Sequence, residues 1–119
     1  MKKIIGIIAL VVVAAVFITV GIVRKGSSHE ERRIAVIPKG TSSVFWESVR
    51  AGAQKAGKEL GYEISWNGPE LESDRERQIQ IVEDFIALKV AGVVLAPNGS
   101  DALVPKVEEM FAKNIPCVI

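Results

Sequence analysis

Residues 34–61 read IAVIPKGTSSVFWESVRAGAQKAGKELG, and this stretch decides the fold. Ile34-Ala35-Val36-Ile37 is a short unbroken apolar run closed by Pro38 and Gly40, the pattern of a strand buried on both faces. A helix follows at once. Phe45, Val49, Ala53, Ala56 and Leu60 recur at spacings of three and four, so they share one face; Ser42 or Ser43 can cap the start, and Gly61 ends it. A buried strand that passes through a short loop into an amphipathic helix is the opening of a strand–helix–strand crossover.

Downstream the alternation continues. Tyr62-Glu63-Ile64-Ser65-Trp66 alternates like a second strand, and Asn67-Gly68-Pro69 turns it. Ser73-Asp74-Arg75-Glu76 has the capping-box form, in which a serine hydroxyl and a glutamate three residues later satisfy free amides at a helix start. The helix it opens carries Ile79, Val82, Phe85 and Ile86 on one face. Gly92 to Ala96 reads as a third strand, Asp101 to Lys113 as a third helix with Pro105 early in it, and Pro116 onward as a fourth strand. Strands alternating with helices predict an α/β lobe with a parallel sheet, flanking helices and right-handed crossovers. The apolar ending Ile115-Pro116-Cys117-Val118-Ile119 has no turn after it, which leads us to expect a truncated chain.

Upstream, Lys2 and Lys3 precede the apolar run Ile4 to Val23, broken only by Gly6, Thr19 and Gly21, and Arg24-Lys25 follow. Such a run is long enough to cross a bilayer. It exceeds the roughly 7–15 apolar residues usual in a cleaved signal peptide. An uncleaved transmembrane anchor is therefore the preferred reading, and a signal helix cut after Ser28 is the alternative, since Gly26 and Ser28 have the small size a peptidase needs. Cations flank both ends, so charge counting leaves the orientation open. Residues 26–33 are small and charged, as suits a solvated link, and His29 within them is read as solvated. The expected division is thus 1–33 as anchor or signal plus linker, and 34–119 as the lobe.

Charge and cysteine content remove several function classes. The chain has 119 residues and a net charge of +1, but from Ile34 onward nine Lys or Arg stand against twelve Asp or Glu, a balance of minus three. That excludes nucleic acid as the expected partner. Cys117 stands alone, so it forms no internal disulfide and offers no second thiol to a metal; packing in a strand is its expected role. Neither G-x-G-x-x-G nor G-x-x-x-x-G-K-[ST] follows a strand, so no nucleotide cofactor is implied. Glu83-Asp84 and Glu108-Glu109 are adjacent on helices and point apart, which argues against a catalytic carboxylate pair. We expect no cofactor, no metal and no enzyme activity. Asn98-Gly99-Ser100 matches the glycosylation acceptor pattern but is read as a strand-to-helix turn.

In open parallel sheets, ligands sit beyond the carboxyl ends of the strands, where successive connections diverge to opposite faces. The candidate loops are Pro38 to Trp46, Asn67 to Ser73, and Pro97 to Asp101. The first is the richest. Lys39, Thr41, Ser42 and Ser43 supply donors and acceptors, and Phe45-Trp46 stand at the opening of a helix, a mixture suited to a small polar molecule with an apolar face. Each also has a structural role open to it: Phe45 fits the buried helical stripe, Trp46 lies one position off it, the serines suit helix caps, and Lys39 suits a solvated loop. Asn98 and Trp66 are further candidates with weaker support.

The segments IAVIPKGTSSVFWESVRAGAQKAGKELG, WNGPELESDRERQIQIVEDFIALKVAGVVLAPNGSDAL and NIPCVI resemble the periplasmic sugar-binding proteins of the ribose-binding type, which serve ABC importers. The resemblance runs from about Ile34 to Ile119. It implies a two-lobed protein that clamps a sugar between similar α/β lobes, of which this chain holds most of the first. It further implies that Phe45 and Trp46 match the aromatic pair that packs on the sugar, that Ser43 falls at a polar contact position, and that a membrane permease is the partner. Ala96 stands where ribose-binding relatives carry a ligand-contacting asparagine, which argues against ribose itself. The Asp-Arg type segment that follows the fourth strand in relatives lies beyond Ile119. Related repressors begin with a DNA-reading helix-turn-helix, whereas this chain begins with an apolar segment. The expected setting is therefore the cell envelope, in the periplasm or at the outer face of the cytoplasmic membrane. A sensory domain of a membrane-anchored receptor is the second reading, and an α/β enzyme with its catalytic residue beyond Ile119 is the third.

Overall fold

A computed structural model describes residues 32–119, together with Met1, Ile4, Ile5, Val11, Val12 and Ala15. The expected membrane helix from Ile4 to Val23 and the spacer with His29 fall almost wholly outside these residues. Among the described residues no helix is long and apolar enough to cross a membrane.

The chain alternates strand and helix throughout: β1 (Arg33–Ile37), α1 (Val44–Leu60), β2 (Glu63–Trp66), α2 (Arg75–Ala87), β3 (Gly92–Leu95), α3 (Val104–Ala112) and β4 (Cys117–Val118). The strands form one parallel sheet in the order β2-β1-β3-β4. Because a strand sends successive side chains to opposite faces, Ala35 and Ile37 of β1 fall beside Val93 and Leu95 of β3, their register partners. Helices α2 and α3 cover that face. Ile81, Val82, Phe85 and Ile86 from α2 and Met110 from α3 close over the strands with Val90, Leu103 and Ile115, and all of these are buried. This is the core, and burial of its hydrocarbon drives the fold.

On the opposite face α1 makes close contact with the sheet at one point. Gly57 is its only buried residue; a Cβ there would collide with the Ile64 side chain and lie 2.9 Å from the Tyr62 carbonyl oxygen. Toward its start the helix packs less closely. Val49, Ala53, Ala56 and Leu60 face Ile34, Val36, Ile64 and Val94 across an open apolar cleft of about 380 Å³. The apolar stripe predicted for this helix therefore exists but is not core. Phe45 is 66% exposed and Leu60 72% exposed, since only the Gly57 end of the helix reaches the strands.

Several element ends differ from the sequence expectation. The cap of α2 is Asp74, not Ser73: its carboxylate accepts a hydrogen bond of 3.0 Å from the Arg77 amide, a stronger acceptor for the positive end of a helix than a hydroxyl. Ser43 occupies the cap position of α1, yet its hydroxyl makes no capping bond, and Gly61 closes the helix in the left-handed region as expected. Helix α3 begins at Val104, because Asp101 to Leu103 make a turn in which the Val104 amide donates to the Asp101 carbonyl. Pro105 then sits in the first turn, where a missing N–H costs nothing.

Candidate ligand-binding site

The sheet order puts β2 and β3 on opposite sides of β1, so the connection leaving β1 and the connection arriving at β3 lie on opposite faces of the sheet. The carboxyl ends of β1 and β3 are therefore the switch point, where the loops part and leave a crevice. A cleft of about 320 Å³ opens there, lined by Lys39, Trp46, Trp66, Ala96 and Pro97 together with the ends of the strands. Of the residues singled out in the sequence, Lys39, Trp46 and Trp66 line this cleft.

The loops around it are held by polar ties centred on Gln78. This residue is 0% exposed, on the buried face of α2. Its amide nitrogen donates to the carbonyls of Pro38 (3.0 Å) and Ala96 (2.9 Å), and its amide oxygen accepts from the Asn98 backbone amide (2.8 Å). Asn98 in turn donates from Nδ2 to the Lys39 carbonyl at 2.8 Å. The β1–α1 loop and the β3–α3 loop are thus fixed to each other and to α2. The Oδ1 of Asn98 is buried and accepts no hydrogen bond, which leaves it an acceptor without a donor.

The remaining predicted residues divide. Thr41 is tied to the neighbouring β2–α2 loop: its hydroxyl donates to the Pro69 carbonyl and its amide to the Glu70 carbonyl, both at 3.3 Å. Ser42 and Ser43 are exposed. Phe45 and Trp46 pack edge to face, with ring centroids 4.9 Å apart and an interplanar angle of 76°. Trp46 is half-buried, and its indole Nε1–H donates to the Glu72 carboxylate at 2.8 Å. Two residues here escaped the sequence reading. Glu72 carries no local signal, since its partner is 26 residues away. Gln78 did carry one: it stands three, four and seven residues before Ile81, Val82 and Phe85, a polar residue set into the apolar stripe.

Among known sequences, a family profile described as a periplasmic binding protein domain matches residues 34–119. The chain belongs to that family. Within the periplasmic binding proteins, it is 36% identical over 88 residues to a D-ribose/D-allose-binding protein of Pseudomonas aeruginosa, a match covering 72% of this chain and 28% of that one. Among solved structures it is similar to an ABC transporter solute binding protein from Agrobacterium vitis with bound D-fucose, at TM-score 0.69 and 41% identity, covering 73% of this chain and 30% of that one. It is likewise similar to a carbohydrate transporter solute binding protein from Agrobacterium radiobacter in complex with D-arabinose, at TM-score 0.67 and 41% identity, covering 71% and 28%. The chain thus spans less than a third of the length of the periplasmic binding proteins it matches. The expected architecture, a parallel-sheet α/β lobe of this family, is the one observed.

Proposed function

We propose that the full-length protein is the solute-binding component of an ABC importer and holds a sugar or similar small polyol against the indole of Trp46. The observation that carries this is the cleft at the β1/β3 switch point, walled by Trp46 and Trp66 with Lys39 at its rim. An aromatic face matches the C–H side of a sugar ring, and the polar edge needs donors and acceptors nearby. Lys39 supplies a cation, the Ser42 and Ser43 hydroxyls are exposed, and the Asn98 Oδ1 accepts no bond within the protein. The sugars named for its relatives support the ligand class. A permease in the membrane is the partner, and the setting is the periplasm or the outer face of the cytoplasmic membrane. The second reading, a ligand-sensing domain of an anchored receptor, draws on the length of the run Ile4 to Val23 and its Arg24-Lys25 flank. Sequencing the mature N-terminus from fractionated cells tests the anchor: a soluble product starting near His29 shows a cleaved signal instead.

Calorimetry on the natural full-length protein against D-ribose, D-allose, D-arabinose, D-fucose and inositols tests the ligand class. One of these should bind, and Trp46→Ala should weaken it by about 1–3 kcal/mol, tenfold or more, with circular dichroism unchanged. Full affinity in the Trp46→Ala protein removes the stacking role. Absence of binding across the panel removes the sugar reading.

A further inference from the structure

Trp46 is the aromatic wall of the proposed site, yet little hydrocarbon holds it. Its ring neighbour Phe45 is 66% exposed, and α1 is not buried at this end. A half-exposed indole on a helix end has rotamer freedom about two side-chain torsions, and a ligand that stacks on it must remove that freedom. The polar contact that restrains the ring is the 2.8 Å hydrogen bond from Nε1–H to Glu72.

Glu72 is itself placed by the backbone around it. The β2–α2 loop that carries it is fastened to the β1–α1 loop by both Thr41 bonds, to Pro69 and to Glu70. Gly40 lies directly under it: a Cβ at Gly40 would stand 3.0 Å from the Glu72 Cγ, 3.3 Å from the Glu72 amide nitrogen and 3.3 Å from the Glu70 carbonyl oxygen. The glycine makes room for the glutamate to cross one loop and reach the indole on the next. Asp74 caps α2 two residues later and fixes the far end of the loop.

We infer that Glu72 is a positioning residue of the ligand site, holding the Trp46 ring in one orientation before ligand arrives; this rests on the reading of Trp46 as the stacking wall. With its N–H committed to Glu72, the indole meets the ligand through its π face alone, and orientation rather than hydrogen bonding is what it supplies. Preorganisation of this kind raises affinity by lowering the ordering cost of binding. The acceptor is an oxygen of a charged group, so the bond is stronger than one between neutral partners. A glutamine at position 72 retains an acceptor oxygen at the same reach, whereas an alanine retains none.

The test uses the natural full-length protein with Glu72→Ala and Glu72→Gln, D-allose, D-arabinose and D-fucose as probes, and two readouts. In the first, the indole N–H resonance of Trp46, assigned with Trp46→Phe, should move and exchange faster with solvent in Glu72→Ala and keep most of its protection in Glu72→Gln. In the second, affinity for the bound sugar should fall about tenfold in Glu72→Ala and no more than about threefold in Glu72→Gln, with the melting temperature of both near the parent's because Glu72 is exposed. An indole signal indifferent to Glu72→Ala overturns the inference. Unchanged affinity in Glu72→Ala overturns it as well, and so does a Glu72→Gln protein as weak as Glu72→Ala, which points to the charge acting on the ligand directly. A parent that binds none of the sugars, with an indole that responds to Glu72→Ala, overturns the proposed function and leaves the Glu72–Trp46 restraint standing.

Discussion

Gln78 is a neutral amide with two donors and two acceptor positions, placed where almost every neighbour is hydrocarbon. Both donors go to carbonyls at strand ends and the oxygen takes the Asn98 amide. Removing it leaves three backbone groups short of a partner, and each buried group so stranded costs about 1–3 kcal/mol. Gln78→Leu should therefore destabilise the protein by about 2–4 kcal/mol, allowing for partial access of water. Gln78→Glu should be no milder at neutral pH, because its carboxylate would face two carbonyl oxygens. Urea unfolding of both variants checks this, and a loss under about 0.5 kcal/mol in either would show that the loops do not depend on the tie. Trp46 and Lys39 were legible in the sequence because they follow the first strand in a topology that puts ligands there. Their supports were not. Glu72 and Gln78 act across 26 and as many as 40 residues of chain, and no local pattern encodes a contact at that range.

At the scale of elements, helices α2 and α3 are joined by more than apolar contact. Lys106 on α3 reaches Glu83 on α2 at 2.6 Å and Glu109 on its own helix at 3.5 Å, while Lys113 meets Glu109 at 2.8 Å. The hydrogen bond to Glu83 is the main cause that raises the Lys106 pKa above its ordinary value, and the hydrogen bond from Lys113 is the main cause that lowers that of Glu109. A raised lysine contributes stability that is complete below its unfolded pKa and is lost as pH climbs through the folded one. A lowered carboxylate contributes stability present above its unfolded pKa and lost as pH falls through the folded one. The network should thus be fully effective across neutral pH and weaken in both strong acid and strong alkali. It is solvent-screened, so the effect is modest and salt-sensitive. Melting temperature against pH for the parent and for Lys106→Met checks it: the difference between the two should be largest near neutrality and shrink in high salt. A difference independent of pH and salt would assign the role of Lys106 to packing. The helices themselves were readable from their periodicity; their ends were not, because Asp74 and Ser73 are both competent caps and the competition is decided by which one the backbone presents to the Arg77 amide.

Across the whole molecule, the two faces of the sheet are unequal. One is closed by α2 and α3. The other is met by α1 alone and keeps an apolar cleft of about 380 Å³, with Val94 41% and Val118 64% exposed. Residues 34–119 expressed by themselves should therefore unfold broadly and at low denaturant, and should associate through this uncovered face and the short strand β4. Denaturant titration with analytical ultracentrifugation checks it; a sharp transition in a monomer would show that the closed face suffices. Cys117 packs against the core, and burial raises its thiol pKa, so it should be slow to alkylate while the lobe is folded.

The sequence by itself determined the alternation of strand and helix, the parallel sheet, the family and the loop in which the cleft opens, because each follows from periodicity, glycine and proline placement, or short motifs within a few residues of chain. Only the tertiary structure decided that Phe45 lies outside the core, that Thr41 is tied to a neighbouring loop, and that Glu72 and Gln78 hold the walls of the cleft. Those outcomes depend on how closely α1 approaches the sheet and on which distant backbone groups are left to be satisfied, quantities that exist only once the elements have packed.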